Sequence, residues 1–194
     1  MSTGDLGARL FRLLSYGLLA VVGIVIIFAL APPRDHGAWR EARADFSVDL
    51  PASLVWQRLQ DLRLAQYYVP GVEGVEMLTK AERGVGASRR ILQEGGITLD
   101  ETVIEWEEGV GFVIRLHRGK AGPPPPFERA RFRYWIESAD ETGTRLSLTI
   151  LYRPSAGLLG EWLDTAVLNA EMTRRMEALA SSMKAYYESS AGVR

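Results

Sequence analysis

The chain has 194 residues, 47% hydrophobic and 24% charged, a balance that suits one globular domain of ordinary size with an appendage. The absence of cysteine excludes a disulfide framework, a thiolate nucleophile and a cysteine metal site. A formal charge of −1 lacks the basic surplus that phosphate contacts need, which argues against a nucleic-acid partner.

Residues 1–12 form a short polar tail. Leu13 to Ala31 then read LLSYGLLAVVGIVIIFALA, nineteen positions without a charge. As a helix they would span about 28 Å, close to the hydrocarbon thickness of a bilayer. The spacing predicts a transmembrane helix over 13–31. The competing reading is a cleavable signal peptide, since Ala29-Leu30-Ala31 has the small-x-small form. Two features oppose cleavage: the apolar core exceeds the usual run, and Pro32 would make the scissile bond a tertiary amide. The expectation is an uncleaved single-pass anchor, with the membrane as a partner. Arg9 and Arg12 precede it and Arg34, Arg40 and Arg43 follow, so charge sets the orientation only weakly. The short tail, kept cytoplasmic, would place the domain on the extracytoplasmic side. Residues 32–44 read as a polar, Pro-containing connector, which leads into a domain at 45–190.

Phe46–Leu50 alternates as a first strand. Pro51-Ala52-Ser53 opens a helix to Leu62, with Leu54, Val55, Trp56 and Leu59 as its buried side. A second helical turn carries Tyr67 and Tyr68 before Pro70-Gly71. Six strands follow: Val72–Thr79, Ala87–Gln93, Ile97–Trp106, Phe112–Arg118, Phe127–Glu137 and Arg145–Arg153, separated by glycine turns and by the stiff run Pro123–Pro126. The last element is a helix over Gly157–Glu188. Its stripe of Leu158, Trp162, Met172, Met176, Leu179, Ala180, Met183 and Tyr187 repeats at helical period. At some 45–50 Å it is too long for a compact domain unless a sheet embraces it. The fold class is therefore α+β: a helix-grip fold, with a curved antiparallel sheet of about seven strands around a long C-terminal helix.

The order strand, two short helices, six strands, long helix comes with a set of local strings. They are FSVDLPASLVWQRLQDLRLAQYYVPGVEGVEML, GVGASRR, DETVIEWEEG, FRYWIESADETGTRLSLTILYRP and GLLGEWLD. In this order and spacing the chain resembles the START/Bet v 1-like (SRPBCC) superfamily, in particular its polyketide cyclase/dehydrase-like branch, over nearly all of residues 46–188. Tyr68 departs from the pattern, in which the short second helix often carries Trp. The resemblance implies the helix-grip fold but no single activity, because members include lipid carriers, ligand sensors, cyclases and assembly factors.

Strand parity gives the candidate cavity. Phe112, Ile114 and Leu116 share one face of their strand. Ala130, Phe132, Tyr134 and Ile136 do so in the next, and Leu146, Leu148, Ile150 and Tyr152 in the last. Facing the long helix, these sets leave a space that the two short helices must cover. The expected ligand cavity is lined by Tyr68, Ile114, Leu116, Phe132, Tyr134, Leu148, Ile150, Trp162, Asn169 and Met172. Asn169, with Thr165, lies on the inner side of the long helix and needs a partner there, either backbone or water or a ligand's polar group. The methionines are adaptable fillers, in a cavity or in ordinary core.

Glu101 and Tyr134 are the weak candidates for acid or base. Inward-facing Leu99, Glu101 and Val103 would raise the pKa of Glu101 by burial. The opposite parity, with Thr102, Ile104 and Trp106 inward, fits the sequence equally well. Arg129, Arg131 and Arg133, with Arg115 and His117 one strand away, form a basic face. It reads either as cross-strand ion pairs or as a surface for anionic headgroups. Two histidines, His36 and His117, cannot build a multi-His metal site, and no G-x-S-x-G elbow, Walker loop or G-x-G-x-x-G fingerprint occurs. No metal or cofactor is expected. The expected function is a membrane-anchored binding protein for a hydrophobic small molecule or lipid. The alternatives are a polyketide cyclase or dehydratase, and an assembly module whose cavity is incidental. Protein partners are left open.

Overall fold

The computed structural model describes residues 39–139, 143–155 and 167–189. Seven strands form one antiparallel curved sheet: β1 (Arg40–Val48), β2 (Val72–Met77), β3 (Ser88–Gln93), β4 (Ile97–Glu107), β5 (Gly111–His117), β6 (Phe127–Ala139) and β7 (Thr144–Pro154). Their order across the sheet is β1-β7-β6-β5-β4-β3-β2. Helix α1 (Ala52–Leu59), a tight turn at Leu62–Leu64 and helix α2 (Ala65–Tyr68) connect β1 to β2. Helix α3 (Asn169–Ser189) packs across the inner face.

The alternation read from β5, β6 and β7 holds. Phe112, Ile114, Leu116, Ala130, Phe132, Tyr134, Leu146, Leu148, Ile150 and Tyr152 are all buried in one cluster. Met172, Met176, Leu179, Ala180, Met183 and Tyr187 of α3 join that cluster, as the stripe requires. The solvent side of α3 carries the Glu171–Arg174, Glu171–Arg175 and Lys184–Glu188 ion pairs. α1 starts from Pro51, whose carbonyl accepts the amides of Leu54 and Val55.

The first helix ends at Leu59 rather than Leu62, the strand ends shift by a residue or two, and the largest difference is at the first strand. The first strand starts at Arg40, not Phe46, so the end of the 32–44 connector is strand. The cause is register: Arg40 to Ala44 pair with Tyr152 to Leu148 on β7, and the ladder continues as long as β7 offers a partner. Only Ala42 and Ala44 mark this stretch as half-apolar, too little to distinguish it from a connector. The 13–31 segment, the start of the long helix at Gly157, and with it Leu158, Trp162 and Thr165, lie outside the described residues. Among the described residues no helix is long and apolar enough to cross a membrane.

Two local features aim β5 and β4. Gly111 lies so close to β6 that an added Cβ would meet the Tyr134 carbonyl oxygen at 2.2 Å and Trp135 Cε3 at 2.6 Å. Only glycine lets β5 lie this near Tyr134. In β4 the pairing with β5 shifts between Val103 and Glu105, a bulge that resets the side-chain parity.

Candidate functional site

The β4 bulge settles the direction of Glu101. Strict alternation would put Glu101 and Val103 on the face opposite Trp106. With the extra residue, Glu101, Val103 and Trp106 all point inward. Glu101 and Val103 are buried, and Trp106 stacks on Phe112 at 5.4 Å. Neither strictly alternating pattern describes the strand.

Glu101 meets a partner that the sequence did not single out. Arg89 is its direct cross-strand neighbour on β3, so the two side chains share the inner face. Arg89 Nε donates to Glu101 Oε2 at 2.6 Å, and Nη2 lies at the same distance. Arg89 Nη1 donates to the Leu62 carbonyl in the turn between α1 and α2. The Arg89 side chain is 2% exposed and that of Glu101 10%. Burial opposes the Arg89 charge most strongly, but the Glu101 carboxylate, together with Tyr134 and Tyr68, keeps the guanidinium above its ordinary pKa. In the structure Arg89 alternates with Ala87 and Ile91, and all three are buried, but the sequence alternates Ser88, Arg90 and Leu92 equally well.

The Tyr68 and Tyr134 hydroxyls sit beside this pair, both fully buried. Burial pushes both phenols up, Tyr134 furthest, against the opposing pull of the Arg89 charge. At neutral pH both are protonated and serve as hydrogen-bond donors and acceptors rather than bases. Around them runs an aromatic wall. Trp56 of α1 meets Trp106 edge-on at 5.1 Å, Phe112 meets Tyr134 at 5.0 Å, and Phe132 meets Tyr134 at 4.7 Å. Glu108, also missed, clips α1 to β4. Its two carboxylate oxygens accept the Trp56 and Trp106 indole N–H groups at 3.0 and 2.9 Å.

Of the expected cavity residues, Tyr68, Ile114, Leu116, Phe132, Tyr134, Leu148, Ile150 and Met172 are brought together in the buried cluster between sheet and α3. Trp162 lies outside the described residues. Asn169 is half-buried at the first turn of α3, where its Nδ2 donates to the Glu41 carbonyl at 3.2 Å and to the Tyr152 hydroxyl at 3.3 Å. Its amide ties helix to sheet.

A curved sheet gripping one helix has known counterparts. Residues 40–188 fit the model of the family described as polyketide cyclase / dehydrase and lipid transport. The chain belongs to this family. Solved structures agree on the fold of this family member. The Zhui aromatase/cyclase from Streptomyces sp. R1128 superposes with a TM-score of 0.61 at 19% identity, covering 80% of this chain and 98% of that one. A START superfamily protein from Mycobacterium smegmatis gives 0.59 at 16% identity, covering 77% and 97%. Norcoclaurine synthase from Thalictrum flavum, in complex with dopamine and hydroxybenzaldehyde, gives 0.60 at 12% identity, covering 80% and 90%. No curated protein matches the chain in sequence.

Proposed function

We propose that this family member is a membrane-anchored binding protein for a hydrophobic small molecule or lipid. The ligand lies between the sheet and α3, its apolar body against the aromatic wall and its polar end toward Arg89, Tyr68 and Tyr134. The observation that carries this reading is the buried Arg89–Glu101 pair. Burying two charges costs several kcal/mol per ion, and the attraction between them does no more than offset it, so stability alone does not account for the pair. Charged and neutral donors converging in an apolar enclosure suit a ligand with one polar end and a greasy remainder. At about 25 cal/mol per Å², a few hundred Å² of buried ligand surface contributes several kcal/mol. The anchoring rests on the nineteen uncharged positions of 13–31.

Binding is favoured over the cyclase or dehydratase alternative for two reasons. Tyr134, pushed up by burial, is held in its protonated form, which disfavours a base at this position. The Glu101 carboxylate is already engaged by Arg89. Native mass spectrometry of the full chain in mild detergent tests the reading, together with titration of a fluorescent fatty acyl or isoprenoid probe. The expected result is one probe per chain, with Tyr134→Phe weakening a polar-headed probe several-fold while the fold is retained. Absence of saturable binding would sink the proposal.

A further inference from the structure

The outer face of β5, β6 and β7 concentrates positive charge. Arg115 and Arg131 are direct cross-strand neighbours, and so are Arg129 and Arg153. Like charges placed opposite one another destabilise a sheet. Among the described residues, none of these four, nor Arg133, forms an ion pair. Three of the five lie over indoles instead. Arg131 and Arg153 sit 5.0 and 5.2 Å from the Trp39 ring, and Arg133 sits 4.3 Å from Trp135. Among the described residues, Arg153 Nε is buried without a hydrogen-bond partner. An open groove of about 490 Å³ runs beside the β5–β6 loop, lined by Trp39, Arg115, His117, Lys120, Arg129 and Arg131, with Glu128 as its one acidic residue. The nearby Asp100 is taken up by Arg90 and the Gly119 amide, and Glu41 stands exposed on β1 at the margin.

The chain reaches this face directly from its apolar run. Trp39 precedes β1, so only residues 32–38 separate Ala31 from the groove, at most about 25 Å of extended chain. We propose that this outer face docks on the anionic phospholipid headgroups of the membrane that the 13–31 segment enters. The inference rests on the anchored reading above. Guanidinium groups match phosphate geometry, and tryptophan favours the headgroup level, which is the pairing this face presents. Docked in this way, the domain lies with its sheet against the bilayer and α3 away from it.

The test uses the full chain, which has no cysteine, with Ala121→Cys in the exposed β5–β6 loop carrying a donor dye. It is mixed with phosphatidylcholine vesicles containing an acceptor-labelled lipid and 0 or 30% phosphatidylglycerol. Flotation reports attachment, and energy transfer reports how near the groove lies to the bilayer. We expect flotation on both vesicles and higher transfer with phosphatidylglycerol. Arg115→Gln/Arg129→Gln/Arg131→Gln should return the transfer to its phosphatidylcholine value, whereas Arg174→Gln/Arg175→Gln on α3 should leave it high. Three arginines correspond to about a hundred-fold in affinity for the anionic surface. Flotation on both vesicles with transfer indifferent to phosphatidylglycerol overturns the docking face and leaves the anchor intact. Flotation only with phosphatidylglycerol, lost in the triple variant, upholds the face and overturns the anchor. Flotation on neither vesicle overturns both. Capture of single-stranded RNA without a response to phosphatidylglycerol also overturns the proposal. Should the triple variant melt early, a phosphatidylglycerol titration of the unsubstituted chain decides between the same outcomes.

Discussion

Arginine occurs on both faces of this sheet under opposite conditions. On the inner face Arg89 is buried, with Glu101 on β4 and the Leu62 carbonyl as its partners and the Tyr68 and Tyr134 hydroxyls beside it. On the outer face Arg115, Arg129, Arg131 and Arg153 stand in like-charged pairs, and Arg131 and Arg153 lean on Trp39. The difference lies in the medium. A buried guanidinium must be neutralised locally, because nothing else will solvate it. A half-exposed one keeps water and counter-ions as partners, so its neighbours are free to repel it.

Four changes would break or sharpen that contrast. The largest effect belongs to Glu101→Gln, which leaves Arg89 charged and unpaired in the core. Chemical denaturation should show a loss of about 3–5 kcal/mol. Replacing both partners, Arg89→Met with Glu101→Leu, should restore most of that loss. A double variant as unstable as the single one would mean that the pair itself holds the fold.

Alkaline pH comes next. Tyr68, Tyr134 and Tyr187 have pKa values raised by burial, so their neutral form is what the folded state accepts. Their stabilising effect is full below the unfolded phenol value near 10 and is lost as pH rises through the folded values. Each contributes a fall of up to about 1.4 kcal/mol per pH unit above 10. Melting monitored together with tyrosinate absorbance should show ionisation and unfolding arriving together. Ionisation well before unfolding would show that these phenols meet water.

Asn169→Leu is smaller. It removes the donor to the Glu41 carbonyl and Tyr152 hydroxyl and should cost about 1–2 kcal/mol in thermal melts. Lost probe binding at unchanged stability would instead place the amide against ligand. The smallest effect has the opposite sign. Arg129→Gln relieves the contact with Arg153 and should raise Tm by about 1–3 °C. A fall in Tm would mean that the outer arginines are paired after all.

The same contrast marks how far the sequence could be read. Parity in β5, β6 and β7 is legible despite the apolar Val113 and Leu151 on the other face, and it put Ile114, Phe132, Tyr134, Leu148 and Ile150 in the core. The α3 stripe was equally plain. Parity failed in β4, because a bulge is a property of pairing with β5 and leaves no periodic trace. Arg89 was hidden differently. It adjoins Arg90, which faces out and pairs with Asp100, and two consecutive arginines look alike until their strand has a direction. The first strand was read too short for a related reason: Arg40, Glu41 and Arg43 look like connector until β7 is there to pair them.

That pairing has a consequence for how the molecule is made. β1 is the first strand to be synthesised and β7 the last, and residues matched between them lie roughly a hundred positions apart along the chain. Loops of that length close slowly, so β1 must wait beside its N-terminal segment as an unpaired strand until nearly all of the domain has emerged. Its charged side chains alternate as Arg40, Glu41, Arg43 and Asp45, a pattern that discourages the edge-to-edge association an idle strand invites. Once β7 arrives, α3 secures β1 at both ends: Asn169 reaches the Glu41 carbonyl and Lys184 reaches that of Ser47. The first strand made is thus the last to be locked, and errors of synthesis or early release should leave β1 exposed before any other part of the sheet.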